Sequence, residues 1–283
     1  MRSPSAALLL LVAVGLGCAN EKERPPPPTC LGDCGLSPGL GAGQQMPGGG
    51  AGADGEGGAD SGALQGIELT GDVLVLNDDI NFATGDLFTD TVNIQTEGAD
   101  GRVVKGTWDG INPFALEKVK QARPVWVLLT PPSGVADDAL PVLEPVRTDK
   151  PDANGRVEAN LALVHATTMD HVFELGAVIP TADTTKGQVI LLFQTQPSGA
   201  STPSPLSGLT VQSASAENVI YAASGSYSTV STATDNTGVV VLANVAAAAW
   251  PGAVIDLVYS GAKAGGSQVR VVSGAVTIAT LVL

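Results

Sequence analysis

Two histidines are the side chains of this sequence best suited to acid–base or metal chemistry. His165 and His171 stand six residues apart, and Asp170 precedes the second of them. A hydrolase triad or a zinc centre needs further partners beside such residues, and the sequence contains no Gly-x-Ser-x-Gly nucleophile motif. We therefore predict that both histidines are structural or surface residues. The sequence gives no catalytic residue, no metal ligand and no cofactor, and we expect no enzyme.

Loop carboxylates are a second candidate chemistry, because calcium prefers oxygen ligands. The acidic pairs are Asp78–Asp79 and Asp137–Asp138. The stretch from Asp149 to Gly155 is similar to part of an EF-hand loop, but Lys150 stands at the first ligand position and Leu161 where the closing glutamate belongs. We predict solvated loops at the two pairs and a simple turn at the third stretch.

Aromatic side chains provide a third candidate chemistry, which is stacking on sugar rings. Aromatic residues make up only 4% of the chain. The residues that we select as glycan contacts are Trp108, Tyr221 and Tyr227. They define the alternative function, a carbohydrate-binding accessory module.

The first residues of the chain are typical of a secretory signal peptide. Met1 and Arg2 give a positive start, an apolar run follows from Ala6 to Leu16, and small residues lie at the break. Residues 1–17 are predicted to be this signal, since the apolar run is too short to span a bilayer.

Gly15-Leu16-Gly17-Cys18 resembles the lipobox of bacterial lipoproteins, although Gly15 stands where that pattern usually has leucine. The resemblance implies lipidation at Cys18, hence a membrane contact through a lipid anchor. Ala19 after the cysteine is similar to lipoproteins sorted to the outer membrane. Cleavage after Ala19 is the alternative, and it would release a soluble periplasmic or secreted protein.

Residues 18–65 are predicted to form a disordered tether. From Gly35 onward this segment is dominated by Gly, Ala, Pro and polar residues, which offer almost no apolar surface to bury. Cys30 and Cys34 lie within it, and in an oxidising compartment they are predicted to form a small local disulfide.

The charge of the chain restricts its partners. It has 28 acidic and 14 basic residues, a formal net charge of −14, which disfavours nucleic acid. Residues 66–186 contain 19 acidic and 9 basic residues, whereas residues 187–283 contain 3 and 2. Because the C-terminal half is nearly neutral, we expect it to meet the partner, an envelope protein or a glycan.

Short β-branched runs between turn signals predict an all-β fold of antiparallel sandwiches from residue 66 onward. One helix is predicted from Asn112, with Pro113 at its first position, to the residue before Pro124; a second helical turn is predicted at Ala246 to Ala249. The predicted strands are Val73 to Leu76, Thr91 to Gln95, Arg102 to Trp108, Val125 to Thr130, Arg156 to Val164, His171 to Ile179, Val189 to Thr195, Leu209 to Gln212, Val219 to Ala222, Val239 to Val245, Val254 to Tyr259, Val269 to Val272 and Val276 to Leu283.

Internal similarity predicts two tandem sandwiches, residues 66–186 and residues 187–283. Gly71-Asp-Val-Leu-Val-Leu76 is echoed by Gly187-Gln-Val-Ile-Leu-Leu192, and the Thr-Asp turn at Thr148 is echoed at Thr234. The second half carries Pro205-Leu-Ser-Gly208-Leu-Thr-Val211, followed by Thr234 to Gly238 and by Pro251-Gly252. It resembles the prealbumin-like, or carboxypeptidase regulatory-like, domain. That resemblance implies a non-catalytic, adhesion-type or structural module.

Overall fold

The computed structural model describes residues 66–76, 84–132, 139–179, 185–197, 202–223 and 225–283. The expectations for the signal peptide, Cys18, Cys30, Cys34 and the tether lie outside the described residues. So do those for Asp78–Asp79 and Asp137–Asp138.

The described chain is nearly all β, as predicted, and its strands pack as a sandwich. In the first half the strands are β1 (Ile67–Gly71), β2 (Val73–Leu76), β3 (Thr84–Leu87), β4 (Val92–Glu97), β5 (Val103–Trp108), β6 (Phe114–Val119), β7 (Val125–Thr130), β8 (Ala139–Leu140), β9 (Val142–Val146), β10 (Arg156–Glu158) and β11 (Leu161–His165). Helix α1 (Ala166–Leu175) follows, and then come β12 (Lys186–Thr195), β13 (Ser204–Pro205), β14 (Leu209–Gln212), β15 (Asn218–Ala223), β16 (Ser226–Ser228), β17 (Val239–Ala246), β18 (Ala253–Gly261), β19 (Gly265–Val271) and β20 (Val276–Val282).

A ten-stranded sheet forms the centre of the molecule. Its order is β16-β15-β17-β12-β20-β9-β7-β4-β5, with β13 paired to β12. Two smaller sheets, β10-β1-β6 and β3-β2-β11-β8, come from the first half, and a third, β14-β18-β19, comes from the second half.

The inner strands of the central sheet are buried on both faces, and successive residues of each strand point to opposite faces. In β7, Val125, Val127 and Leu129 belong to one apolar cluster, while Trp126 and Leu128 belong to the other. The first cluster includes residues of β1, β2, β6, β11 and α1, and the second includes residues of β14, β18 and β19. The central sheet is therefore the middle layer between the smaller sheets.

The boundary predicted between residues 186 and 187 falls at the start of β12, and the central sheet continues across it. β20 of the second half pairs in parallel with β9 of the first half. The Val276 N–H donates to the Pro141 carbonyl across this junction, at 2.8 Å. The two halves thus share one sheet, and their independent folding stays a prediction.

The echoed Thr-Asp turns share the same local chemistry. Thr148 Oγ1 accepts from the Ala122 N–H at 2.9 Å and donates to the Lys120 carbonyl at 2.7 Å. Thr234 Oγ1 likewise accepts from the Leu209 N–H at 3.0 Å and donates to the Leu206 carbonyl at 2.9 Å. Both threonines are buried, so each hydroxyl ties a turn to a neighbouring segment.

The strands attached to these turns do not share one pairing. β2 and β11 are parallel neighbours, whereas β12 and β17 are antiparallel neighbours. The similarity between the two halves is therefore a similarity of turns, and the strand pairing around those turns differs.

The helix predicted from Asn112 to Pro124 is wrong, because residues 114–119 form strand β6. Phe114 and Leu116 face the core as alternate residues, and β6 pairs with β1. Asn112 closes a turn instead of capping a helix: its backbone N–H and its side-chain amide both donate to the Asp109 carboxylate, at 2.8 and 2.9 Å.

Two further local predictions are also wrong. The strand predicted from His171 to Ile179 is mostly helix α1, since Met169, Val172 and Phe173 bury one stripe at helical spacing. The turn predicted as helical at Ala246 to Ala249 is the end of β17 followed by a bridge from Ala248 to Val272.

Candidate functional site

The residues that we selected as glycan contacts are all inside the fold. Trp108 is 0% exposed, Tyr221 is 4% exposed and Tyr227 is 2% exposed. No sugar ring can reach these faces in the folded protein, so the prediction that they bind a glycan is wrong. Trp108, for example, is buried because it lies on the inward face of β5, which faces the first apolar cluster.

The polar atoms of Trp108 and Tyr221 make buried hydrogen bonds to backbone groups of other segments. The Trp108 Nε1–H donates to the Phe88 carbonyl at 3.0 Å. The Tyr221 hydroxyl accepts from the Val211 N–H at 2.8 Å and donates to the Val211 carbonyl at 3.1 Å. Val211 is the last residue of the Pro-x-x-Gly-x-x-Val motif, so the motif is clamped to β15 by a buried side chain.

The two histidines lie on different elements of secondary structure. His165 ends β11 and immediately precedes α1, while His171 is exposed on the helix. Among the residues that the structure describes, no three His, Cys, Asp or Glu side chains could hold a metal ion together. No helix in the described part of the chain is long and apolar enough to cross a membrane.

The stretch from Asp149 to Gly155 forms the predicted turn. Asp152 Oδ1 accepts from the backbone N–H groups of Asn154 and Arg156, both at 2.8 Å, and these bonds lower the pKa of the Asp152 carboxyl. The Asp149 carboxylate is held by Arg147 and Arg123, the latter at 2.9 Å, and hydrogen bonding to Arg147 is the main cause of its lowered pKa. Backbone N–H groups thus occupy Oδ1 of Asp152, and arginine groups occupy both oxygens of Asp149.

Glu144 is a buried carboxyl group that the sequence reasoning missed. It lies on β9 among Val142, Leu143 and Val146, and it is 7% exposed. Its Oε1 accepts from the Ala162 N–H of β11 at 3.1 Å. Burial raises the pKa of Glu144 from an ordinary value of 4.5 to about 8, and the hydrogen bond from Ala162 offsets only part of that rise.

The path of the chain explains why a side-chain acceptor is needed there. β8 pairs with the C-terminal end of β11, and the chain then passes through Pro141 into β9 of the central sheet. β8 covers Val164 and His165 but stops short of Ala162. Glu144 therefore supplies the acceptor that a longer β8 would have given to the Ala162 N–H.

A groove lies on the outer face of strands β4 and β5, at the end of the central sheet. Its volume is about 310 Å³, and it is lined by Asn93, Ile94, Gln95, Lys105, Gly106 and Thr107. Asn93 lies opposite Thr107 and Gln95 opposite Lys105 in the strand pairing. The opposite face of β4 carries Val92 and Ile94 into the first apolar cluster, so the four polar side chains point outward together.

The nearly neutral C-terminal half has a different surface. On the outer face of β18, Val254 and Val258 are each 56% exposed. Their cross-strand neighbours on β19 are Arg270 and Gly266. The charged residues of this face are Asp256 and Arg270, and nothing in the described chain covers Val254 or Val258.

No protein-family model matches the sequence, and no curated protein matches it. Among solved structures, the chain is similar to the crystal structure of GBS52, the minor pilin in the gram-positive pathogen Streptococcus agalactiae, with a TM-score of 0.23 and 10% identity. The similarity covers 76% of this chain and 94% of that chain. An overlap this loose assigns neither a family nor a function.

Proposed function

We propose that this protein is a non-catalytic cell-envelope lipoprotein that presents its β-sandwich body for binding or for structural support. The observation that carries the proposal is the use of its reactive side chains. Glu144 caps a backbone N–H, Tyr221 clamps Val211, and Asp109 and Asp152 close turns. The commitment of these side chains to the fold supports a role without catalysis.

The N-terminal sequence supports the anchored location. A leader typical of a signal peptide, a cysteine in a sequence that resembles a lipobox, and a long Gly-rich segment precede residue 66. Such an order suits a body held on a tether outside the cytoplasm, with the outer membrane as the site of attachment. The partner in this proposal is an envelope protein or a glycan.

Intact-mass analysis of the N-terminal peptide tests the proposal, using the full chain expressed with its own leader. We expect a mature N-terminus at Cys18 that carries acyl chains, and recovery in the membrane fraction. The matched variant Cys18→Ser should lose the added mass and the membrane association. A wild-type N-terminus at Asn20 without acyl groups would replace the proposal by its alternative, a soluble periplasmic or secreted protein.

A further inference from the structure

The groove on β4 and β5 is a concave surface of the described chain whose polar groups the fold does not use. None of the side chains of Asn93, Gln95, Lys105 and Thr107 makes a hydrogen bond or an ion pair within the described residues. This contrasts with Glu144, Tyr221 and the turn aspartates, which all have partners. A small number of polar groups that converge on one depression can fix the orientation of a ligand.

The strand pairing sets the spacing of the four groups. Residues directly opposite on an antiparallel pair have Cβ atoms about 5 Å apart, and alternate residues along a strand are about 7 Å apart. The four side chains therefore stand at the corners of a small rectangle, the footprint of one sugar residue. Thr130 on β7, opposite Asn93, extends the polar row beyond that rectangle.

The hydrogen-bonding capacity of the groove selects the class of ligand. Asn93 and Gln95 each offer an amide with two donor hydrogens and one acceptor oxygen, and Thr107 offers a hydroxyl. Neighbouring hydroxyl groups of a sugar ring need this mixture, because each is donor and acceptor at once. No aromatic face lines the groove, so hydrogen bonds rather than stacking must provide recognition.

Lys105 adds a charge requirement to the groove. It is the charged residue of the lining, and its ammonium group has no carboxylate partner in the described residues. The nearest acidic residue along the same face of β4 is Glu97, and its carboxylate binds Lys120 at 3.2 Å and Arg270 at 3.0 Å. Lys105 is thus left to pair with an anionic group from outside the protein.

We propose that this groove binds a carboxylate-bearing saccharide, with the Lys105 ammonium on the carboxylate and the amides and hydroxyl on the ring hydroxyl groups. The inference deepens the binding role proposed above, and it differs from the earlier glycan prediction in its residues and in its chemistry. It does not depend on acylation of Cys18, so each proposal has its own test. The mass of the N-terminus tests the lipoprotein proposal, and the titration tests the saccharide proposal.

The test is an NMR titration of the mature protein with trigalacturonate, following the side-chain amides of Asn93 and Gln95 and, for every variant, the backbone amides of β4 and β5. We expect saturable shifts at these amides and roughly tenfold weaker binding after Lys105→Gln, the loss of one charge-assisted hydrogen bond. The methyl ester of trigalacturonate, which keeps the hydroxyl groups and lacks the charge, should show the same weakening. The double variant Asn93→Ala/Gln95→Ala should abolish binding.

The matched control is Lys263→Gln, which removes an exposed lysine between β18 and β19 and should leave the titration unchanged. All substituted side chains are exposed or half-exposed, so far-UV circular dichroism should show an intact fold for each variant. No shifts with trigalacturonate would overturn the proposal. So would equal affinity for the wild type and for the Lys105→Gln variant.

Discussion

The buried carboxyl of Glu144 makes the stability of this protein depend on pH in a direction opposite to that of most carboxylates. Its pKa is about 8 in the folded protein, against 4.5 in the unfolded chain. Between these values the native state holds a proton that the unfolded state has lost. The free energy of unfolding therefore falls as the pH rises, by about 1.4 kcal/mol per pH unit.

Glu144→Gln is the perturbation that isolates this effect. Glutamine keeps an oxygen to accept the Ala162 N–H and does not titrate. We expect the wild type to lose about 3 kcal/mol relative to the variant between pH 5 and pH 7.5, and the difference to level off at about pH 9. Urea unfolding of both proteins at half-unit steps from pH 5 to pH 9 measures it.

Thr148→Val is a control for buried hydrogen bonding, because it removes a buried hydroxyl and changes no titrating group. It should lower the free energy of unfolding by about 1–3 kcal/mol, and this loss should be the same at every pH. Parallel stability curves for the wild type and for Glu144→Gln would refute the reasoning. They would mean that Glu144 reaches water and ionises normally in the folded protein.

Three further outcomes follow from the contacts. Thr234→Val should destabilise the protein about as much as Thr148→Val, since the two hydroxyls make equivalent bonds. A difference of more than about 2 kcal/mol between the two losses in urea unfolding would contradict that equivalence. Tyr221→Phe should cost about 1–2 kcal/mol by removing the bonds to Val211, and an unchanged thermal midpoint would show that water replaces the hydroxyl. The Asp109 carboxyl should titrate near pH 2 by carbon NMR, because backbone and side-chain hydrogen bonds from Asn112 lower its pKa to about 2; a midpoint near 4 would show that this turn opens in solution.

Most strands of the central sheet could be predicted from the sequence, and so could β2, β14, β18 and β19 of the sheets that cover it, whereas β1, β3, β6 and β8 could not. β7, β12, β17 and β20 are continuous β-branched runs because both of their faces are buried, and such runs are easy to read. β6 was read as a helix because its bulge, with Lys118 at φ 61°, breaks the alternation of apolar residues.

The candidate sites were harder to predict than the strands. Aromatic residues indicated a glycan site by their type, but their burial depends on which face of a strand meets the core. Glu144 carried a readable signal, a single acidic residue inside the apolar run Val142 to Val146. The groove on β4 and β5 carried none, because Gln95 and Lys105 become neighbours only through strand pairing.

The junction between β9 and β20 tests the central claim, that both halves of the chain form one body around a shared sheet. Native-state hydrogen exchange of the Val276 amide, which donates to Pro141, measures it directly. The account predicts that this amide exchanges as slowly as the amide of Ile190 in β12, at the centre of the same sheet. Rapid exchange at Val276 beside slow exchange at Ile190 would contradict the shared sheet and leave two separate sandwiches.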